Sequence, residues 1–170
     1  MKNITLIACC DLNRGIGYNN KLLYKIKQDL DFFRNKTMNH IVIMGSSTFK
    51  SLNYKPLYGR RNIILSKKFK EMPDDKLTKL VNDGKIEIYS SLYEMSHILD
   101  SDEEKFVIGG ELIYQQFSPY ANKIYLTIVE SVKKSDKKFP VFPTFLYRDT
   151  ILLEGKEKKL EYKIHKYERL

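Results

Sequence analysis

The 170-residue sequence has no tryptophan, two cysteines and five prolines. Cys9 and Cys10 are adjacent within one apolar run and poorly placed to bridge each other. With no third cysteine, a disulfide-stapled scaffold is excluded and a reducing, cytoplasmic setting is expected. Long hydrophobic runs are missing as well. None approaches the roughly 20 residues of a spanning helix, which excludes a helical membrane protein. The opening MKNITLIACC lacks a signal-peptide apolar region of ordinary length and a small-residue cleavage site, so no leader is expected. No repeat, low-complexity stretch or Gly/Ser/Pro-rich linker breaks the chain, and one domain over 1–170 is expected. A chain near this length buries roughly 70% of the surface its unfolded form would expose, enough for a proper core.

Negative charge is the scarcer sign, with 21 Asp and Glu against 30 Lys and Arg and a formal net charge of +9. The charges are interspersed with aromatic and β-branched residues rather than gathered in tails, which excludes a disordered chain. An excess of cations suits an anionic partner, either nucleic acid or a small molecule carrying phosphates and carboxylates. Lysine is spread along evident solvent faces, and no nucleic-acid module accompanies it, so nucleic acid is not expected as the main partner.

What the chain does contain is an alternation. ITLIACC, HIVIMG, RNIILS, KIEIYS, KFVIGG and KIYLTIVE are apolar runs bounded by turn residues and read as strands, several of them apolar on consecutive positions as if covered on both faces. QDLDFFRNK, SSTFKSL, SLYEMSHIL and ELIYQQF carry apolar residues at helical spacing. The order predicts an α/β fold: a mostly parallel central sheet with helices on both faces. KIYLTIVE, a run around TILLE, and LEYKIHKYERL have no helix between them, which predicts an antiparallel finish to the same sheet. Ligands of such sheets sit beyond the carboxyl ends of the strands.

Four constellations stand at those ends. Gly109 and Gly110 join a buried strand to a helix; they form either a tight turn alone or a place where a ligand nears the backbone and a helix N-terminus meets a phosphate. Ser46, Ser47 and Thr48 follow Met-Gly at another helix start, where hydroxyls cap the helix or donate to a phosphate. The two junctions together suggest a dinucleotide held by two helix ends. Asp29 shares a helix face with Phe32 and Phe33, which leaves it as a first-turn residue complementing the dipole or as an acid in a half-apolar pocket awaiting a cationic or amidine-like ligand. Arg60 and Arg61 follow a turn glycine; one of such a pair usually faces solvent, while the other can fork onto a ligand carboxylate.

GIGYNNKL, QDL.FF...T, VIMG..T, PL.GR.NIILS, VIGG..IY and IYLT lie in the order and spacing of dihydrofolate reductases, and the chain resembles that family over essentially its whole length. The resemblance implies reduction of 7,8-dihydrofolate to 5,6,7,8-tetrahydrofolate by hydride transfer from NADPH to C6, with a proton reaching N5 through water. It implies that Asp29 pairs with the pterin 2-amino group and N3, that Thr127 hydrogen-bonds this carboxylate, and that Tyr24 offers a hydroxyl to an ordered water. Ile7, Ala8, Leu30, Phe33, Arg60 and Ile108 fall to the substrate, Arg60 to its glutamate carboxylate. Ala8, Ile16, Gly17, Asn20 and Leu22 fall to the nicotinamide side, the last two in a mobile loop. Gly45, Ser46, Ser47 and Thr48 fall to the pyrophosphate, and Leu65, Ser66 and Lys67 to the adenosine end with its 2′-phosphate. Gly109, Gly110, Glu111, Leu112, Ile113 and Tyr114 complete the cofactor side, with a cis bond between the glycines. No metal is implied, and a monomer is expected.

Four departures qualify the match. The family's Leu-Pro-Trp is Leu22-Leu23-Tyr24; the basic residue after Met-Gly is Ser46; Glu111 and Leu112 replace small or basic residues; and the late acidic strand reads Asp136-Lys137-Lys138-Phe139-Pro140. The second and third predict a narrower preference for NADPH over NADH, resting on Lys67 and Lys68. Two other readings use the same fold: the pyrimidine reductase of riboflavin synthesis, against which Asp29, Phe33 and Arg60 argue, and a catalytically weakened relative kept for binding a partner or nucleic acid.

Overall fold

The computed structural model describes residues 1–170. In chain order its elements are β1 (Ile4–Asp11), β2 (Gly15–Tyr18), β3 (Lys21–Leu22), α1 (Lys27–Thr37), β4 (Ile41–Gly45), α2 (Ser46–Ser51), β5 (Arg61–Leu65), α3 (Lys67–Glu71) and α4 (Asp75–Asn82). There follow β6 (Glu87–Tyr89), α5 (Ser96–Leu99), β7 (Lys105–Gly109), α6 (Glu111–Phe117), β8 (Lys123–Val129), β9 (Lys137–Lys138), β10 (Tyr147–Glu157) and β11 (Leu160–Arg169). Eight strands form one sheet in the order β10-β11-β8-β1-β7-β4-β5-β6. Every pairing from β8 across to β6 is parallel, and β11 pairs antiparallel with both β8 and β10. The mostly parallel sheet and its antiparallel finish agree with the sequence pattern.

The sheet buries both faces, which is why its central strands are apolar at consecutive positions. On one face Phe49 of α2, Phe69 of α3 and Leu77 of α4 pack with Ile7, Val42, Met44 and Ile64, and Phe32 and Phe33 of α1 border them. On the other, Ile98 and Leu99 of α5 and Ile113, Tyr114 and Phe117 of α6 pack with Leu6, Ile43, Ile63 and Val107. One expectation needs correcting, and one stretch left unassigned is filled. SLYEMSHIL is helical only over Ser96–Leu99, because the Glu94 carboxylate accepts from the backbone N–H and hydroxyl of Ser90 while Ser91 Oγ accepts from Glu94 N, holding a turn in place of the first helical turn. The segment between β5 and β6 holds α3 and α4, each started by a side-chain cap, Ser66 and Asp74 respectively.

Chain order and spatial order diverge at one point. The chain runs outward through β4, β5 and β6, then returns to insert β7 between β1 and β4. Such a switch opens a crevice beyond the carboxyl ends of the strands that flank it. Those ends are Asp11, Gly45 and Gly109. The β4–β7 register slips between Ile43 and Met44, so Ile108 has no partner on β4, which re-aims the backbone just before the glycine pair. A second, three-stranded sheet of β2, β3 and β9 stands beside this crevice.

Candidate active site

β1 is buried along its length except at Ala8 and Cys9, which are half-buried. Across from Cys9 in the parallel register stands Thr127 of β8. Thr127 is 2% exposed, and its hydroxyl donates to Asp29 Oδ1 at 2.6 Å. Asp29, in the first turn of α1, is thereby fixed against the sheet. Burial pushes its pKa up, while hydrogen bonds from Thr127 and the Cys9 thiol pull the other way. Burial first, and the charge of Asp29 second, push the Cys9 thiol strongly up, so Cys9 stays protonated and serves as a donor. The sequence offered Cys9 only as a failed disulfide partner. Its role as a neighbour of Asp29 needs the β1–β8 register, which composition does not reveal.

Phe33 and Ile108 border the core cluster that contains Ile7, so these three expected substrate residues lie on one side of the sheet, while Ala8 packs on the other. Leu30 is exposed on the next helical position. The two adjacent arginines part company. Arg61 is exposed and forks onto Glu87 at 2.6 and 2.8 Å, a paired surface cation. Arg60 donates to the Tyr58 carbonyl at 2.8 Å and to Thr37 Oγ1 at 3.1 Å. Burial, and then the like charge of Arg34, lower its pKa. An oriented guanidinium whose protein partners are all uncharged keeps its charge for something else. Thr37, which aims it, closes the motif QDL.FF...T, but its role toward Arg60 was not visible there.

On the other side, Leu65, Ile113 and Tyr114 belong to the second cluster, with Ala8 and Ile16 packed against it. The Tyr114 hydroxyl donates to the Ile7 carbonyl at 2.7 Å, and its ring meets Phe139 at 5.0 Å. The Gly109–Gly110 bond is cis, as expected. Gly109 has φ +122°, and a Cβ there would meet Thr48 Oγ1 at 3.3 Å and Tyr114 at 3.4 Å. Gly45 and Gly110 begin α2 and α6, and neither helix start has a side-chain cap. A Cβ on Gly45 would lie 2.9 Å from Ile113 Cγ1 and 4.0 Å from the Gly109 carbonyl. Two uncapped helix starts therefore sit side by side with open backbone N–H groups, a cradle that suits phosphate oxygens.

Ser47 is exposed, and Ser46 and Thr48 are half-buried. Ser66 is occupied in capping α3, accepting from Phe69 N at 3.2 Å. Lys67 is exposed and 3.7 Å from Glu71. The Glu111 carboxylate accepts from Lys138 N at 2.9 Å, tying the start of α6 to β9. Leu112 is 68% exposed. The small sheet carries Ile16, Gly17, Asn20 and Leu22, with Leu22 57% exposed and Asn19 and Asn20 both at positive φ in the turn from β2 to β3. Leu22, Asn20, Leu112 and Lys67 thus stand at the rim rather than within the packed site.

The family model described as dihydrofolate reductase matches residues 3–169. The chain belongs to the dihydrofolate reductase family. It is 34% identical over 139 residues to a dihydrofolate reductase of Bacillus subtilis, covering 82% of this chain and 76% of that one. To the Staphylococcus haemolyticus dihydrofolate reductase it is 32% identical over 170 residues, 98% and 96% of the two chains. A solved structure of dihydrofolate reductase from Enterococcus faecalis, described as complexed with NADP(H) and RAB-propyl, superposes with a TM-score of 0.83 at 20% identity, over 98% of this chain and 95% of that one. By family, then, the protein is an enzyme, an oxidoreductase.

Within this dihydrofolate reductase fold, one expected site residue has a different partner from the one foreseen. Tyr24 is buried, and its hydroxyl donates to Asp11 Oδ2 at 3.2 Å. The hydroxyl's one proton is thereby given to Asp11, and its oxygen keeps only the capacity to accept.

Proposed function

We propose that this enzyme reduces 7,8-dihydrofolate to 5,6,7,8-tetrahydrofolate with NADPH, and that the chain acts as one domain over 1–170, as a monomer, in the cytoplasm. The observation that carries the reading is Asp29, a half-buried carboxylate fixed by Thr127 at 2.6 Å at the mouth of the crevice. With Oδ1 held by Thr127, the carboxylate keeps acceptor capacity for the 2-amino group and N3 of a pterin. Partial burial makes that pair strong, because a charge-assisted hydrogen bond shielded from water is worth roughly twice a neutral one. The negative charge favours the pterin protonated at N5, and the proton itself comes from water. Phe33 and Ile108 give the pterin an apolar wall, and Arg60 takes the glutamate carboxylate.

The cradle fits a dinucleotide: φ +122° at Gly109 admits no side chain easily, and both neighbouring helix starts are uncapped. Gly45, Ser46, Ser47, Thr48, Gly110 and Glu111 would hold the diphosphate, Ser66 and Lys67 the 2′-phosphate, and Ala8, Ile16, Leu22 and Tyr114 would enclose the nicotinamide. NADPH, when bound, supplies the hydride that reaches C6.

The test is the loss of NADPH absorbance on adding dihydrofolate to purified protein. Dihydrofolate-dependent oxidation is expected. Its absence, or reduction of a phosphoribosylated pyrimidine in its place, overturns the proposal.

A further inference from the structure

Asp11 ends β1 and is 1% exposed, yet no cation pairs with it. Its carboxylate is satisfied by four donors. Oδ1 accepts from Asn13 N and Gly15 N, both at 2.9 Å. Oδ2 accepts from the Tyr24 hydroxyl at 3.2 Å and from Lys133 N at 3.0 Å. These donors belong to three stretches of chain: the start of the segment 12–24, its end, and the segment 131–138. Lys133 reinforces the junction, since its ammonium donates to the Leu23 carbonyl at 3.0 Å and lies 4.4 Å from the centre of the Tyr24 ring. Leu12 N donates to the Ser131 carbonyl at 3.1 Å, and a Cβ on Gly15 would strike Leu23 and Ser135 at 2.8–2.9 Å. Both ends of the segment that carries Ile16, Gly17, Asn20 and Leu22 therefore converge on one buried carboxylate.

We propose that Asp11 is a positioning residue of the reduction, holding the 12–24 segment shut over the nicotinamide side of the crevice through Tyr24 and Lys133. The inference rests on the functional reading above, because it assigns the segment to the cofactor. The chemistry requires a carboxylate in particular. All four contacts are donors, so a group that can only accept matches them all, whereas an amide must turn its NH2 toward Lys133 N or toward the Asn13 and Gly15 N–H groups. A buried donor deprived of its acceptor costs more than the bond itself was worth. The segment would then open locally before the sheet is affected, since β1 up to Cys10 is held by β7 and β8.

The experiment compares Asp11→Asn, Tyr24→Phe and Lys133→Met with the parent by three readouts. Amide hydrogen exchange on the free protein needs no activity: peptides covering 12–24 and 131–138 should exchange about tenfold faster, a hydrogen bond's net worth, with β4 and β5 unchanged. Turnover should fall about tenfold in Asp11→Asn and less in Tyr24→Phe, while the KM for dihydrofolate stays within about twofold. The Asp11→Asn/Tyr24→Phe double variant should be scarcely worse than Asp11→Asn alone, as for two members of one network. Exchange confined to the two segments without a change in turnover would overturn the catalytic part. Unchanged exchange, or exchange raised equally in β4 and β5 with kcat and KM failing together, would overturn the positioning role itself. Should the parent lack reductase activity, the exchange arm still decides whether Asp11 holds the segment.

Discussion

Asp29 is where the cost of the site is most local. Burial raises its pKa above the ordinary 3.8, against the opposing hydrogen bonds from Thr127 and Cys9. A carboxylic acid with a raised folded-state pKa stabilises the fold below its unfolded value and loses that contribution as pH rises through the folded value. At neutral pH the ionised group therefore weighs against folding of the free protein. Asp29→Asn should melt higher than the parent at pH 7, and the two should converge at low pH where both side chains are neutral. The same variant should lose roughly 10²- to 10⁴-fold in turnover at pH 7, in the range of other polar catalytic groups, with partial recovery at low pH where the pterin arrives protonated. A lower melting temperature at pH 7, or near-parental turnover, would refute the assignment. Arg60 makes the complementary case on the far side of the pocket. Its hydrogen bonds go to uncharged groups, and losing one side of a semi-buried charge pair costs about 2–5 kcal/mol. Arg60→Ala should weaken dihydrofolate binding by about that amount, measured by titration, and hardly touch a pterin lacking the glutamate. Equal losses for both ligands would point to misfolding instead.

Between elements, the decisive contact is that of β4 with α6. Gly45 sits so close to Ile113 that a Cβ would lie 2.9 Å from its Cγ1, and Cγ1 is the near part of a buried side chain with little room to yield. Overpacking of this kind costs about 1–3 kcal/mol. Gly45→Ala should lower stability by that much in urea, and should weaken NADPH binding further by pushing the α6 start away from the α2 start. Parental cofactor affinity in a destabilised variant would separate the packing from the cradle. Much of this level was legible in the sequence. Strands buried on both faces announce themselves by consecutive apolar residues, as in IVIMG and RNIIL, and the two Gly-then-helix junctions are visible as sequence. β2, β3 and β9 were not legible, because strands of two to four residues exist only through their pairing with one another. α3 was hidden by polarity, Phe69 being its only buried residue; α4 was legible, with Leu77, Leu80 and Val81 at helical spacing behind the Asp74 cap, but was not read as a helix. Asp29, Thr127 and Arg60 could be named from motifs. Asp11 and Cys9 could not, since each matters through a partner distant in sequence; Thr37 stood in a motif, but its hydrogen bond from Arg60 did not show there.

At the scale of the whole molecule the question is how an excess of cations meets an anionic cofactor. The net charge of +9 is carried by lysines spread over the surface, so it raises the potential everywhere and speeds the arrival of any polyanion. That field does not tell NADPH from NADH well, because a diffuse field attracts both. Discrimination needs a cation at the 2′-phosphate. Ser46 and Leu112 supply none, and Ser66 is already capping α3. Lys67 remains, exposed and loosely paired with Glu71 at 3.7 Å; a surface i,i+4 pair of this kind holds its lysine weakly. Lysine is a point charge without a bidentate fork, so a modest preference is expected. The two contributions separate by salt and by mutation. Raising ionic strength from about 0.01 M to about 0.15 M contracts the Debye length from about 30 Å to about 8 Å, and should slow association of both cofactors while leaving dissociation nearly unchanged. Lys67→Ala should leave that salt dependence in place but remove most of the difference in kcat/KM between NADPH and NADH, by lowering the value for NADPH and sparing that for NADH. If the preference survives in Lys67→Ala, another lysine holds the phosphate; if the salt dependence vanishes with Lys67, the steering is local and the distributed charge contributes nothing to it.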